Sequence, residues 1–180
     1  SYTRWDAGVY ADYLQRFSLP TDKRFKDFSR GMKMKLAIAV ALSHAPRLLI
    51  LDEATSGLDP IVRDEVLDIF SEFTRDEGHS ILLSSHILSD LEKLCDYIAF
   101  LHRGKLLFCE EKDRLLETYA VYSSSREALD RLPEGALCRA EIGGYHCRSL
   151  VLREKMPAGL ALEPASVEDI VLFLGKENKR

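Results

Sequence analysis

Residues 48–60 read Leu48-Leu49-Ile50-Leu51-Asp52-Glu53-Ala54-Thr55-Ser56-Gly57-Leu58-Asp59-Pro60, and this stretch decides the fold. Four consecutive aliphatic residues without polar alternation describe a short strand that is apolar on both faces, as in a parallel sheet covered on each side. Two adjacent carboxylates end the strand, and a Ser-Gly-x-Asp-Pro turn follows at once. In that turn Asp59 reads as a helix N-cap and Pro60 as the first helical residue. A buried strand delivering Asp-Glu at its C-terminal end is well suited to holding a divalent cation and polarising a water beside a triphosphate. Two solvated carboxylates at a strand end are common by themselves. The unbroken continuation to Asp59-Pro60 is what favours the chemical reading.

Working outward, the preceding segment predicts a helix from Ser29 to about His44, stopped by Pro46. Its Leu36-Ala37-Ile38-Ala39-Val40-Ala41-Leu42 core is apolar on nearly all sides, which places it in an interior. Ser29 as N-cap, followed by Arg30-Gly31-Met32, exposes backbone N–H groups at the positive end of the helix dipole. That is either an ordinary capped helix or a ready anion site. Further upstream, Asp6 caps a helix carrying Val9, Tyr10, Tyr13, Leu14 and Phe17, which Leu19-Pro20-Thr21-Asp22 breaks. A basic, aromatic stretch from Lys23 to Phe28 then leads to Ser29.

Downstream of Pro60, Val62, Val66, Ile69, Phe70 and Phe73 share one helical face, with Gly78 closing the helix. Ser80 to Ser84 predicts a second buried strand, ending in Ser84-Ser85-His86, and Leu88, Leu91 and Leu94 mark another helix. Tyr97–Leu101 and Lys105–Phe108 read as a hairpin around Arg103-Gly104. Strands and helices in alternation predict an α/β sheet with right-handed crossovers. After Tyr119 the texture changes, and Ser123-Ser124-Ser125 reads as a junction. Short strands over Leu137–Ile142 and Cys147–Leu152 and a helix over Val167–Leu174 predict a small α+β appendage. The expected division is therefore residues 1–118 and 119–180.

Composition narrows the function classes. A net charge of −4 and a pI near 5.8 argue against a sequence-blind nucleic-acid binder, which concentrates Lys and Arg on one face. Cys95, Cys109, Cys138 and Cys147 form no CxxC pair and no zinc-ligand spacing, so they read as thiols of a reducing compartment. The polar opening Ser1–Asp6 is not a signal peptide. The longest apolar run, Leu36–Leu42, is far short of the ~20 residues that cross a bilayer. Any membrane spanning falls to another chain.

The order of these motifs resembles that of ABC-type ATPases. Leu51 to Pro60 is similar to the Walker B and D-loop segment. Phe28-Ser29-Arg30-Gly31-Met32 resembles the signature motif Leu-Ser-Gly-Gly-Gln, with Arg30 in place of the first Gly and Met32 in place of the Gln. This variant looks like the ATP-binding subunits of exporter-type systems that work with separate permeases. The resemblance implies an α/β P-loop NTPase fold with a helical subdomain, and ATP and Mg²⁺ as cofactors. It assigns Asp52 to the Mg²⁺ shell, Glu53 to the attacking water as general base, and His86 to the γ-phosphate as switch histidine. Ser29, Arg30, Gly31 and Met32 would contact nucleotide bound by a second subunit, and Ser56, Gly57 and Asp59 would lie at the dimer interface. The remaining histidines, His44, His79, His102 and His146, match nothing in the family pattern.

The same resemblance shows what these residues do not contain. A phosphate loop needs Gly-x4-Gly-Lys-Ser/Thr so that backbone N–H groups close around the β-phosphate. The Gly-Lys pairs here, Gly104-Lys105 and Gly175-Lys176, are preceded at the first Gly position by Ala99 and Ile170 and followed by Leu106 and Glu177. Neither fits. The single glutamine, Gln15, lies inside a helix, so the family's Q-loop is missing as well. The chain is accordingly expected to be the C-terminal portion of such a subunit, inactive by itself. The implied partners are a second ATPase subunit, as homo- or heterodimer, and an integral membrane permease, with no nucleic acid. The implied location is cytoplasmic, peripheral on the inner face of the cell membrane. Two other readings stand beside it: a soluble ABC ATPase acting on nucleic acid or ribosomes, and a non-catalytic remnant that binds a partner.

Overall fold

The computed structural model describes residues 4–143 and 146–176, so the Ser1–Thr3 part of the polar opening lies outside the described residues. The chain forms two compact units, Ser1–Ile87 and Leu88–Arg180.

In the first unit, helix α1 (Ala7–Arg16) starts at Asp6, whose carboxylate accepts the N–H groups of Gly8 and Val9 at 2.8 and 3.0 Å. A 3-10 turn over Phe25–Asp27 leads into α2 (Arg30–Leu42), with Ser29 as N-cap. Strand β1 (Leu48–Asp52), helix α3 (Pro60–Phe73) and strand β2 (Ser80–Ser84) complete the unit. The two strands pair in parallel with no slip, from Leu48 opposite Ser80 to Asp52 opposite Ser84. Parallel strands need a crossover of a dozen or more residues, and α3 supplies it. Ion pairs tie the helices: Arg16 of α1 to Glu72 of α3 at 2.5 Å, and Lys35 of α2 to Glu65 of α3. Phe17, Leu19, Ile38, Leu42, Leu49, Val66 and Phe70 are among the buried side chains.

The burial of the strands differs from the sequence expectation. Leu49 is buried, but Leu48, Ile50 and Leu82 are 52%, 72% and 63% exposed. Ile50 and Leu82 are register partners, so they share one face with Leu48. One apolar face of this two-stranded sheet therefore lies open. The all-round apolar helix is likewise buried on one side only, at Ile38, Ala39 and Leu42, while Ala37 and Val40 are exposed. It ends at Leu42, two residues early, because the Ser43 hydroxyl donates to the Ala39 carbonyl and Ala45 turns left-handed at φ 45°. Helix α3 also ends before Gly78: the Thr74 hydroxyl donates to the carbonyls of Phe70 and Ser71.

The second unit opens with α4 (Leu88–Leu94) and the hairpin β3 (Tyr97–His102) and β4 (Lys105–Glu111), longer than expected. Its turn residues Arg103 and Gly104 both have positive φ, 51° and 75°, the signature of a two-residue type I′ turn. Helix α5 (Lys112–Thr118), β5 (Tyr119–Ser124), α6 (Arg126–Leu129), β6 (Leu137–Ile142), β7 (Cys147–Leu152), β8 (Glu163–Pro164) and α7 (Val167–Gly175) follow. The last four strands form an antiparallel sheet in the order β6-β7-β5-β8. Ser123–Ser125 is thus no junction: Ser123 and Ser124 belong to an interior strand, and Ser125 caps α6. Ile98 and Leu115 share one core with Val121, Leu150, Ile170 and Phe173. The hairpin therefore packs with the C-terminal sheet, and the compact units divide at residue 87 rather than near 118.

This packing has measurable consequences. The open Leu48–Ile50–Leu82 face should drive concentration-dependent self-association, visible in light scattering, and Ile50→Lys should suppress it. Asp169 of α7 is the other case. Its partial burial raises its pKa, but bonds from the Ser166 backbone and hydroxyl and from Arg148 outweigh this and hold it below the ordinary range. A carboxylate depressed in the folded state stabilises above its unfolded pKa, and that contribution disappears as pH falls through the folded value. Asp169→Asn should lower stability at neutral pH by about 1 kcal/mol, the scale of a lost helix cap, and flatten the acid limb of a urea-unfolding pH series.

Candidate functional site

Because β1 and β2 are parallel, of equal length and in register, their C-terminal ends lie side by side. That places Asp52 directly opposite Ser84, and the Ser84 hydroxyl donates to Asp52 Oδ1. The chain then turns sharply. Glu53 adopts φ 50°, a left-handed conformation uncommon for residues other than glycine. Its N–H is held by the Ser84 carbonyl at 3.0 Å, with the Ser84 hydroxyl oxygen at 3.3 Å. The Ser56 N–H donates back to the Glu53 carbonyl at 3.0 Å and closes the turn, with Ala54 and Thr55 buried beneath it.

This turn aims the Glu53 side chain at the end of β2. Glu53 Oε2 lies 2.5 Å from His86 Nδ1, a contact in which the imidazole N–H donates to the carboxylate. Both side chains remain accessible, 40% for Glu53 and 67% for His86. The three residues that the sequence pattern assigns to metal, base and switch therefore stand at one edge, within a single compact unit.

A second grouping joins the Ser29 helix to the D-loop segment. The Ser29 hydroxyl oxygen accepts the Met32 N–H at 3.2 Å, which fixes the start of α2. Gly31 faces α3: a Cβ there would stand 3.3 Å from Val62 Cγ1 and 3.9 Å from Leu58. Gly57 has φ 67°, and the Arg30 guanidinium lies over it, so that a Cβ would come within 2.5 Å of its Nη1. Asp59 accepts the Val62 N–H at 3.1 Å and starts α3. All of these residues are visible in the sequence pattern, but the packing of Arg30 on its own D-loop glycine is not. Ser84 is likewise absent from the motif pattern. The equal length of the two strands is the signal that could find it, since it puts their last residues opposite one another.

The donors suit a hard divalent cation, being carboxylate and hydroxyl oxygens. Among the described residues no group of three or more His, Cys, Asp or Glu could hold a metal alone. Mg²⁺ is commonly held by one or two carboxylates together with substrate phosphates and water. Asp52 is the carboxylate at this strand end that could hold such an ion, together with a nucleotide's phosphates.

Comparison with known proteins bears on the fold and the family. The family described as "AAA domain, putative AbiEii toxin, Type IV TA system" matches residues 21–89. The chain is 50% identical over 93 residues to the lantibiotic transport ATP-binding protein SrtF of Streptococcus pyogenes, covering 51% of this chain and 40% of that protein. It is 33% identical over 175 residues to the Nod factor export ATP-binding protein I of Neorhizobium galegae, covering 88% of this chain and 50% of that one. Among solved structures, an ATP-binding subunit of an ABC transporter matches with a TM-score of 0.54 and 33% identity, over 61% of this chain and 48% of that one. The chain thus spans half or less of the length of these relatives.

Gly57→Ala should be destabilising by more than about 1 kcal/mol, because a side chain at positive φ is strained and the new methyl meets Arg30. Arg30→Ala in the same chain should recover the part due to that collision, leaving the strain. Chemical denaturation of the two single variants and the double variant measures both parts.

Proposed function

We propose, since the sequence and fold of this chain are those of ABC-type ATP-binding subunits, that the whole subunit hydrolyses ATP to drive a separate membrane permease, in export. The observation that carries this is the Asp52, Glu53, Ser84 and His86 arrangement at the ends of β1 and β2, with Glu53 Oε2 2.5 Å from His86 Nδ1. The direction of transport draws support from the relative named for Nod factor export.

In this reading Glu53 is the general base, within reach of a water attacking the terminal phosphate. His86 holds the Glu53 carboxylate in place through Nδ1–H, and contact with the γ-phosphate through Nε2 requires a proton on that nitrogen too, because phosphate oxygens only accept. Asp52 holds the Mg²⁺ that accompanies ATP, which supplies charge neutralisation for the developing phosphoryl oxygens. Positioning and electrostatics provide most of the acceleration in phosphoryl transfer, so a rigid strand edge is a suitable platform.

Ser29, Arg30, Gly31 and Met32 would close over nucleotide carried by a second ATPase subunit, with Ser56, Gly57 and Asp59 beside them at the shared interface. The subunit works at the cytoplasmic face of the membrane. No helix among the described residues is long and apolar enough to cross a membrane, so spanning is assigned to the permease. Nucleic acid is not a partner in this reading, in keeping with the net charge of −4.

Two measurements test the proposal. In a subunit that carries a phosphate loop ahead of these residues, Glu53→Gln should lose about 10²–10⁴-fold in turnover, the usual contribution of a positioned base. His86→Ala should lose turnover while nucleotide binding persists. If Glu53→Gln kept most of its activity, Glu53 would be structural and the mechanism wrong. The 180 residues alone, with no Gly-x4-Gly-Lys-Ser/Thr sequence, should give no saturable Mg-ATP signal in titration calorimetry.

A further inference from the structure

We infer that Ser84 is a positioning residue: its hydroxyl orients the Asp52 carboxylate toward a divalent cation, while its carbonyl holds the Glu53 backbone N–H at the turn. The inference rests on the metal reading of Asp52 given above, and it concerns a residue that the motif pattern does not single out.

The geometry separates two functions of Ser84. Its backbone carbonyl accepts the Glu53 N–H at 3.0 Å, continuing the parallel ladder by one bond beyond Asp52. That bond supports the left-handed turn at Glu53, φ 50°, and depends on no side chain. Its hydroxyl donates to Asp52 Oδ1 and lies 3.3 Å from the Glu53 N–H as a second acceptor. A hydroxyl has one proton and two lone pairs, so both bonds can form at once.

The consequence for Asp52 is orientational. An aspartate at a strand end has a broad, nearly two-fold preference about its terminal torsion. With Oδ1 bound to Ser84, the plane of the carboxylate is set and Oδ2 is the oxygen left for a cation. The bond is to a charged acceptor, the stronger class of hydrogen bond. Partners of metal-ligating carboxylates act in this way generally, and their removal typically costs 10–100-fold in metal affinity or activity.

Removing the hydroxyl while keeping the backbone isolates the effect. Ser84→Ala retains the carbonyl that holds Glu53, so the turn should persist. Ser84→Thr retains the hydroxyl and adds a β-branch, which strands accept readily. The probe is Mn²⁺ in the presence of ATP, titrated into a subunit that carries a phosphate loop ahead of these residues and followed by the loss of the free Mn²⁺ electron paramagnetic resonance signal. Thermal unfolding of each variant runs alongside. Asp52→Asn serves as the control for the metal reading itself.

The expected result is about a tenfold weaker Mn²⁺ response in Ser84→Ala, near wild-type response in Ser84→Thr, and the same melting temperature in all three. In a subunit carrying a phosphate loop, Ser84→Ala should raise the Mg²⁺ concentration for half-maximal turnover by a similar factor. Wild-type Mn²⁺ binding in Ser84→Ala, with binding abolished in Asp52→Asn, would overturn the role of Ser84 and leave the metal site standing. No loss in Asp52→Asn would overturn the metal reading and this inference together. Equal loss in Ser84→Ala and Ser84→Thr would show that packing rather than the hydroxyl matters, and would overturn the inference alone.

Discussion

The parallel, unslipped pairing of β1 with β2 is the constraint on which the proposed chemistry depends. Side chains alternate faces along a strand, so a slip of one residue would send Asp52 and Ser84 to opposite faces. It would also move the Glu53 N–H away from the Ser84 carbonyl that receives it at 3.0 Å. With the register as it stands, two elements separated by α3 end at the same level, and residues about thirty apart in sequence meet there. The register of the backbone alone is enough to bring the acid pair, the hydroxyl and the imidazole to one end of the sheet.

Local backbone conformation then refines what the register supplies. Glu53 and Gly57 both have positive φ, but for different reasons. At Gly57 the conformation comes at little cost, and the missing side chain makes room for Arg30. At Glu53 a side chain is needed, so the left-handed geometry is strained and must be held by its surroundings. The Ser84 carbonyl, the Ser56 N–H and buried Thr55 are those surroundings. Strain of this kind, at a carboxylate that also meets a histidine, is what sets this turn apart from an ordinary strand end.

Much of this is legible in the sequence because the signals are local. Asp6, Ser29 and Asp59 each cap the helix expected of them, and Pro60 starts α3. Both strands of the first unit fall at their predicted positions. What is not legible depends on distant partners. An aliphatic run says that a strand could be buried on both faces, but only the neighbours decide whether it is, and Ile50 and Leu82 stand open. Likewise three serines read as a linker until β7 and β8 flank the strand they end. Hydroxyl residues tolerate loops and strands alike, so composition alone cannot separate the two. Ser84 is hidden in the sequence for the same reason: its significance lies in what faces it across the ladder.

The open face and the site are physically one problem. Asp52 continues the row of Leu48 and Ile50 along β1, and Ser84 continues that of Leu82 along β2, so all five residues project from the same side of the sheet. Any segment that covered the aliphatic part would end beside the Asp52–Ser84 pair and remove water from it. Coulomb interactions strengthen several-fold when the effective dielectric falls from that of water to that of a partly buried site. As it stands, the Glu53–His86 pair is exposed enough that solvent screens most of its energy. Covering the apolar face would therefore stabilise the sheet by burial and sharpen the electrostatics of the carboxylates in the same step. The fold places hydrophobic demand and the proposed chemistry on one surface, so that satisfying the first prepares the second.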